Sequence, residues 1–168
     1  GSAWCWGYGS FGNGSAMRVA PIGWAFDDLD QVLAEAERSA AVTHDHPEGI
    51  KGAQVSAGAV FLARYEPIDD VVEWASGYGY ELSTPIEELR PGHVFDVTCQ
   101  GTVPLALRCA YEAEDFEDAV RLAVSLGGDA DTLAAIAGAV AEARFGGVPL
   151  EIRTAVTERL DQPMRSGE

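Results

Sequence analysis

The chain has 168 residues, 47% of them hydrophobic, enough for one domain with a sizeable core. Eleven Lys and Arg stand against 27 Asp and Glu, a formal net charge of −16, which argues against nucleic acid or an anionic membrane as a partner. The cysteines Cys5, Cys99 and Cys109 are odd in number and form no Cys-x-x-Cys, so no disulfide framework is expected and a reducing cytoplasm is the default compartment.

The chain opens Gly1-Ser2-Ala3-Trp4-Cys5-Trp6, which does not read as a natural start. Either Gly1-Ser2 is an added remnant or the chain is the back part of a longer one. No signal-peptide pattern and no apolar run of bilayer length occurs. Gly7 to Gly14 is rich in glycine, interleaved with Tyr8 and Phe11, and predicts a loop. Its backbone N–H groups could approach a phosphate or ribose closely, and Phe11 could stack on a base. The spacing is neither a Walker loop nor a dinucleotide fingerprint, so a plain flexible loop stays open. Arg18, alone among uncharged neighbours, is either a surface residue or an anchor for an anion.

Asp27 and Asp28 read as caps of a helix with an inward stripe at Leu29, Val32, Leu33, Ala36 and Ala40. Thr43-His44-Asp45-His46-Pro47 follows, with Pro47 suited to the first turn of a helix running to about Arg64. The His-x-His pair has poor partners for a zinc site, since only His93 and scattered cysteines remain. A ligand-contacting or hydrogen-bonded His44 fits better. Small residues from Gly52 to Ala59 predict close helix packing. A shorter helix is expected over 67–76, and one helical turn over 85–89.

Asp96 and Thr98 admit a site role, but turn chemistry is the simpler reading. A helix is expected from Leu105 to Glu112. Another follows Asp115, with Phe116, Ala119, Leu122 and Ala123 inward, and runs to Leu126. The segment from Asp129 to Arg144 is almost all small and apolar, as expected of a helix in mid-core. A last helix is expected from Pro149 to Leu160, with a frayed tail from Gln162. About eight helices, no alternating strand and no repeat predict an all-α protein with one domain over residues 1–168. Its marked features are the glycine-rich loop 7–14 and the motif 127–132.

That motif, Gly127-Gly128-Asp129-Ala130-Asp131-Thr132, joins two helical patterns. The glycines end one helix, and Asp129, Asp131 and Thr132 open the first turn of the next. Two carboxylates and a hydroxyl at one point suit Mg²⁺, Mn²⁺ or Ca²⁺ rather than zinc. Ordinary capping is the other reading. Carboxylates at the end of a buried helix are costly unless neutralised, which favours the metal.

Three stretches in order, Gly12-Asn13-Gly14-Ser15-Ala16-Met17-Arg18-Val19-Ala20-Pro21-Ile22-Gly23, Thr43-His44-Asp45-His46-Pro47-Glu48-Gly49 and Leu126-Gly127-Gly128-Asp129-Ala130-Asp131-Thr132, resemble the ADP-ribosylglycohydrolase family. The resemblance runs from about Phe11 to Leu160. It implies an all-α fold with a dinuclear Mg²⁺ centre, sometimes Mn²⁺. The implied activity is hydrolysis of the bond linking ADP-ribose to an arginine, a serine or a small molecule, with a Mg²⁺-activated water. By this resemblance Asp129, Asp131 and Thr132 are metal ligands. Gly9, Ser10, Phe11, Gly12 and Asn13 match the loop that holds the distal ribose, diphosphate and adenine, and His44 a residue near the diphosphate.

Family members also carry an N-terminal Gly-Asp motif and a Thr-Asp-Asp-Thr motif, the source of further ligands and of an acidic catalytic group. Neither that Thr-Asp-Asp-Thr nor an equivalent occurs here, because Asp27-Asp28 and Asp69-Asp70 sit at helix starts. The chain therefore reads as the C-terminal part of a family member, with its catalytic residues expected outside it. A non-catalytic relative that binds ADP-ribose, or a structural one, is the alternative.

Overall fold

The computed structural model describes residues 9–160. Gly7 and Tyr8 of the glycine-rich stretch, and the expected tail from Gln162, lie outside them.

Two helices organise the fold: α4 (Pro47–Ala63) and α9 (Ala130–Phe145). Both are apolar nearly all round, and both bury most of their length. Before α4 come α1 (Gly14–Met17), α2 (Ala20–Ala25) and α3 (Leu29–Ala41). After it come α5 (Ile68–Ser76), α6 (Ile86–Leu89) with a 3-10 turn over Arg90–Gly92, α7 (Cys99–Glu112) and α8 (Phe116–Leu126). The final helix, α10 (Leu150–Thr157), follows α9. All described regular structure is helical apart from an isolated antiparallel bridge between Gly12 and Thr98.

α3 lies on one face of α4, where Val32, Ala36 and Ala40 meet Ala53, Ala57 and Phe61 in a small core. The other face of α4 packs against α7 and α9. There Val55, Val60, Val103, Leu107, Leu133, Ile136 and Val140 form the main core. Full burial of Leu133, Ile136 or Val140 contributes about 1.5–3 kcal/mol each. These anchors fix α9 in rotation and register, and with it the position of the residues at its N-terminus. Small residues on α4 bring its neighbours close, as expected: the Trp74 ring lies against Gly58, and the Cys99 side chain against Gly52.

The all-α expectation holds, and the expected elements fall within a few residues of the observed ones. Two differences have physical causes. α1 and α2, which the sequence left unassigned, are four and six residues long and punctuated by Gly14, Pro21 and Gly23, too short to show a period. α7 begins at Cys99 rather than Leu105 and carries Pro104 inside it. A proline there removes a helix hydrogen bond. Burial of Cys99, Thr102 and Val103, and a cap in which Thr98 Oγ1 accepts from Gly101 N at 3.1 Å, outweigh it.

Among the described residues no helix is long and apolar enough to cross a membrane.

Candidate functional site

The N-terminal ends of α1, α4, α7 and α9 meet. Asn13 N donates to Val97 O at 2.8 Å and Cys99 N to Phe11 O at 2.9 Å, which lays the glycine loop along the start of α7. Ser15 Oγ donates to Gly49 O at 2.8 Å, tying α1 to the first turn of α4. Asn13 Nδ2 donates to Asp129 Oδ2 at 2.6 Å, tying the loop to the start of α9. Each long helix presents about half a positive charge at this end. Their convergence favours an anion or a cluster of carboxylates here.

The loop is held from below. Gly9 N donates to Asp45 Oδ1 at 2.6 Å. Cys99, fully buried, has its thiol pushed above its ordinary pKa by burial, so it stays protonated and donates to Gly12 O at 3.2 Å. Gly12 N donates to Ser10 Oγ at 3.3 Å. Phe11 is 43% exposed, with its ring edge-on to His46 at 5.2 Å between centroids. An aromatic face this open is available for stacking.

His44 stands against the same loop. A Cβ added to Gly12 or Gly14 would come within 3.4 or 3.3 Å of His44 Nε2, so glycine at both positions gives the ring its place. Arg18 Nη2 donates to Thr43 Oγ1 at 2.8 Å. Thr43 Oγ1 is in turn 2.7 Å from His44 Nδ1, which holds the ring with Nε2 facing the loop. Arg18 is a surface residue, as one of its two readings has it, and it also donates to Ser39 O at 2.8 Å.

Burial, then the Arg18 charge, lowers the pKa of His44 below its ordinary 6.5. Below pH 6.5 the unfolded chain binds a proton at this ring more readily than the folded chain does. Stability therefore falls as pH drops from 6.5 until the folded ring is itself protonated. His44→Gln should flatten that part of the profile, measured as urea midpoints across the acid range. A profile unchanged by the substitution would mean that His44 does not titrate differently on folding.

Gly127 and Gly128, at φ +74° and +65°, end α8 and turn the chain into α9 as the sequence predicts. A Cβ on Gly128 would lie 2.8 Å from His93 Nε2, so the turn is packed beneath the 93–95 segment. His93 and Val94 also line a cleft of about 340 Å³ with Glu81, Gln100 and Pro104. Asp129 is the residue before α9 rather than within it, and its side chain makes no capping bond. Thr132 is buried, its hydroxyl 3.7 Å from Met17 Sδ. Asp131 is exposed and Asp129 half-buried, so the expected burial cost falls on Asp129 and only in part. α9 is deeply buried along its middle but opens at this end.

Asp96 and Thr98 follow turn chemistry: Asp96 Oδ1 accepts from Thr98 N at 2.7 Å. Thr102 was missed by sequence reasoning. Its Oγ1 accepts from Asn13 Nδ2 at 2.9 Å, across 89 residues, and no local signal marks it.

An all-helical protein that gathers a glycine loop, a histidine and hard-oxygen side chains at converging helix N-termini is thus defined. A model of the ADP-ribosylglycohydrolase family matches residues 1–165, and the chain belongs to that family. An uncharacterized protein of Archaeoglobus fulgidus is 33% identical over 153 residues, covering 81% of this chain and 50% of that protein. The human ADP-ribosylhydrolase ARH3 is 28% identical over 194 residues, covering 83% and 52%. The ADP-ribosylarginine hydrolase Tri1 of Pseudomonas putida is 29% identical over 155 residues, covering 83% and 40%. A solved structure of an ADP-ribosylglycohydrolase-related protein complex superposes with a TM-score of 0.68 at 31% identity, over 84% of this chain and 53% of that one. The chain spans about half the length of the curated relatives it matches.

Proposed function

We propose that this chain carries the ADP-ribose-binding and part of the metal-binding machinery of a hydrolase that cleaves the glycosidic bond between ADP-ribose and an acceptor. The observation that carries the reading is the Asn13–Asp129 hydrogen bond of 2.6 Å, which brings the glycine loop and the carboxylate motif into one site.

Asp129, Asp131 and Thr132 fit a hard divalent cation in their chemistry. The side chain of Asp129 does not cap its helix, which counts against the capping reading for that residue. Among the described residues no group of three or more His, Cys, Asp or Glu is gathered for a metal, so the three residues fit part of a coordination shell. They would hold Mg²⁺ or Mn²⁺, which when bound orients ribose hydroxyls and activates a water. Further carboxylate ligands and the catalytic acid, on this reading, belong to a part of the protein outside this chain.

The chain's own residues bind and orient. Phe11 offers its open face to adenine. The loop from Gly9 to Asn13 and the gathered helix N-termini face the diphosphate, and His44 turns its Nε2 toward the same loop. Cleavage develops positive charge on the ribose. The acceptor is a protein side chain or a small molecule; the relative from Pseudomonas putida is an ADP-ribosylarginine hydrolase.

Calorimetric titration of ADP-ribose into the purified chain, with Mg²⁺ and again with EDTA, tests this. Mg²⁺-dependent binding is expected. Binding indifferent to EDTA would instead define a recognition module built on the glycine loop, and no heat from a folded chain would sink the reading.

A further inference from the structure

Asn and Asp are among the best helix N-caps, and replacing a cap typically costs about 1 kcal/mol. In this chain Asp28, His46, Thr98 and Asp115 all cap their helices with their side chains. Asn13 and Asp129 precede α1 and α9 and do not. They bond to each other instead. Both side chains thus forgo a locally favourable contact for one across 116 residues of sequence.

The amide is held from several sides. Asn13 is 7% exposed. Its Nδ2 donates both protons, to Thr102 Oγ1 at 2.9 Å and to Asp129 Oδ2 at 2.6 Å. Its backbone N donates to Val97 O at 2.8 Å. Thr102 Oγ1 in turn donates to Asp96 O at 3.3 Å, so its lone pair is directed at Asn13. Asp129 accepts at Oδ2, and its other oxygen accepts no hydrogen bond from the described residues. A carboxylate fixed through one oxygen, with the second open, is the arrangement by which groups behind a metal ligand orient it.

We propose that Asn13 is the positioning residue for the metal carboxylate: its amide aims Asp129 at the cation, and through it the glycine loop and the cation site reinforce each other's occupancy. This rests on the reading of Asp129 as a metal ligand and deepens it. Asn13 sits in the loop assigned to the diphosphate and distal ribose, so a ligand that orders the loop also orders the amide. Linkage then requires that ADP-ribose tighten cation binding by the same factor as the cation tightens ADP-ribose binding.

The test is Mn²⁺ affinity, read by the loss of the free-ion paramagnetic resonance signal, with and without ADP-ribose. Asn13→Ala should weaken Mn²⁺ binding by about 10–100-fold, the range seen when a partner behind a metal ligand is removed. It should also abolish the tightening by ADP-ribose. Asn13→Leu fills the same volume without a donor and should behave alike, which keeps the question open to an answer if the alanine variant unfolds. Thr102→Val removes the amide's other hydrogen bond without touching Asp129, and should lose far less. Equal losses in the Thr102 and Asn13 variants would reduce Asn13 to loop packing and overturn the proposal. So would Mn²⁺ binding unaltered in a folded Asn13 variant. A wild-type chain that binds no Mn²⁺ would remove the metal reading itself, and the proposal with it.

Discussion

Replacement of Asp131 by Ala should leave stability within about 0.5 kcal/mol of wild type yet weaken Mg²⁺-dependent ADP-ribose binding by about 100-fold or more, beyond what loss of a supporting partner costs. The two readouts separate the two meanings of an acid at a helix start. Asp131 is exposed and makes no hydrogen bond or ion pair among the described residues. Its contribution to folding is confined to the helix dipole, a few tenths of a kcal/mol at physiological salt, and is opposed by the self-repulsion of a chain with a net charge of −16. A ligand role is the reason for a large effect on the Mg²⁺-dependent step. Urea unfolding and calorimetry on one preparation measure both. A variant that destabilises the fold while binding ADP-ribose normally in Mg²⁺ would return Asp131 to capping.

Gly49→Ala acts where the loop and α4 touch. A Cβ at this position would lie 2.6 Å from Ser10 O and 2.9 Å from His44 O. Both are backbone oxygens, so no rotamer change relieves the clash. Overpacking costs about 1–3 kcal/mol and opposes the roughly 1 kcal/mol that Ala gains over Gly within a helix. Since the backbone itself must move, the net loss of stability should be about 1–2 kcal/mol. The same displacement pushes Ser10 and His44 apart, so ADP-ribose affinity should fall in Mg²⁺ and in EDTA alike. Gly92→Ala is the control: its Cβ would meet nothing within 4 Å, and it should stay within about 0.5 kcal/mol of wild type. Unchanged ADP-ribose binding by Gly49→Ala would show that the Ser10–His44 junction is not part of the binding surface.

Much of this molecule is readable in one dimension because its signals are local. Gly127 and Gly128 stop a helix wherever they occur, and their positive φ angles are the expected consequence. The mostly small and apolar run from Ala134 to Ala143 predicts a place in the core, and α9 buries Ile136, Ala137, Gly138, Val140, Ala141 and Ala143 there. Asp28 and Asp115 cap as their positions before helical patterns predict. The same locality explains the misses. α7 was expected to start after Pro104, because the burial that holds Cys99 and Val103 in a helix comes from α4 and from the rest of the main core, not from their neighbours in sequence.

The site divides in the same way. The stretches Gly12–Gly23, Thr43–Gly49 and Leu126–Thr132, in their order along the chain, are legible in the sequence alone and point to the family. Tertiary structure decided what those residues do to one another. It decided that Asn13 and Asp129 leave their own helices uncapped to bond across the fold, that Thr102 backs them, that Arg18 holds Thr43, which in turn holds His44, and that Asp131 faces outward while Thr132 is buried. A cap or a turn is chosen by neighbours a few residues away, so sequence specifies it. A hydrogen bond between residues 116 apart exists only because the packing of α4 against α7 and α9 brings their N-terminal ends together, and that packing is a property of the whole core.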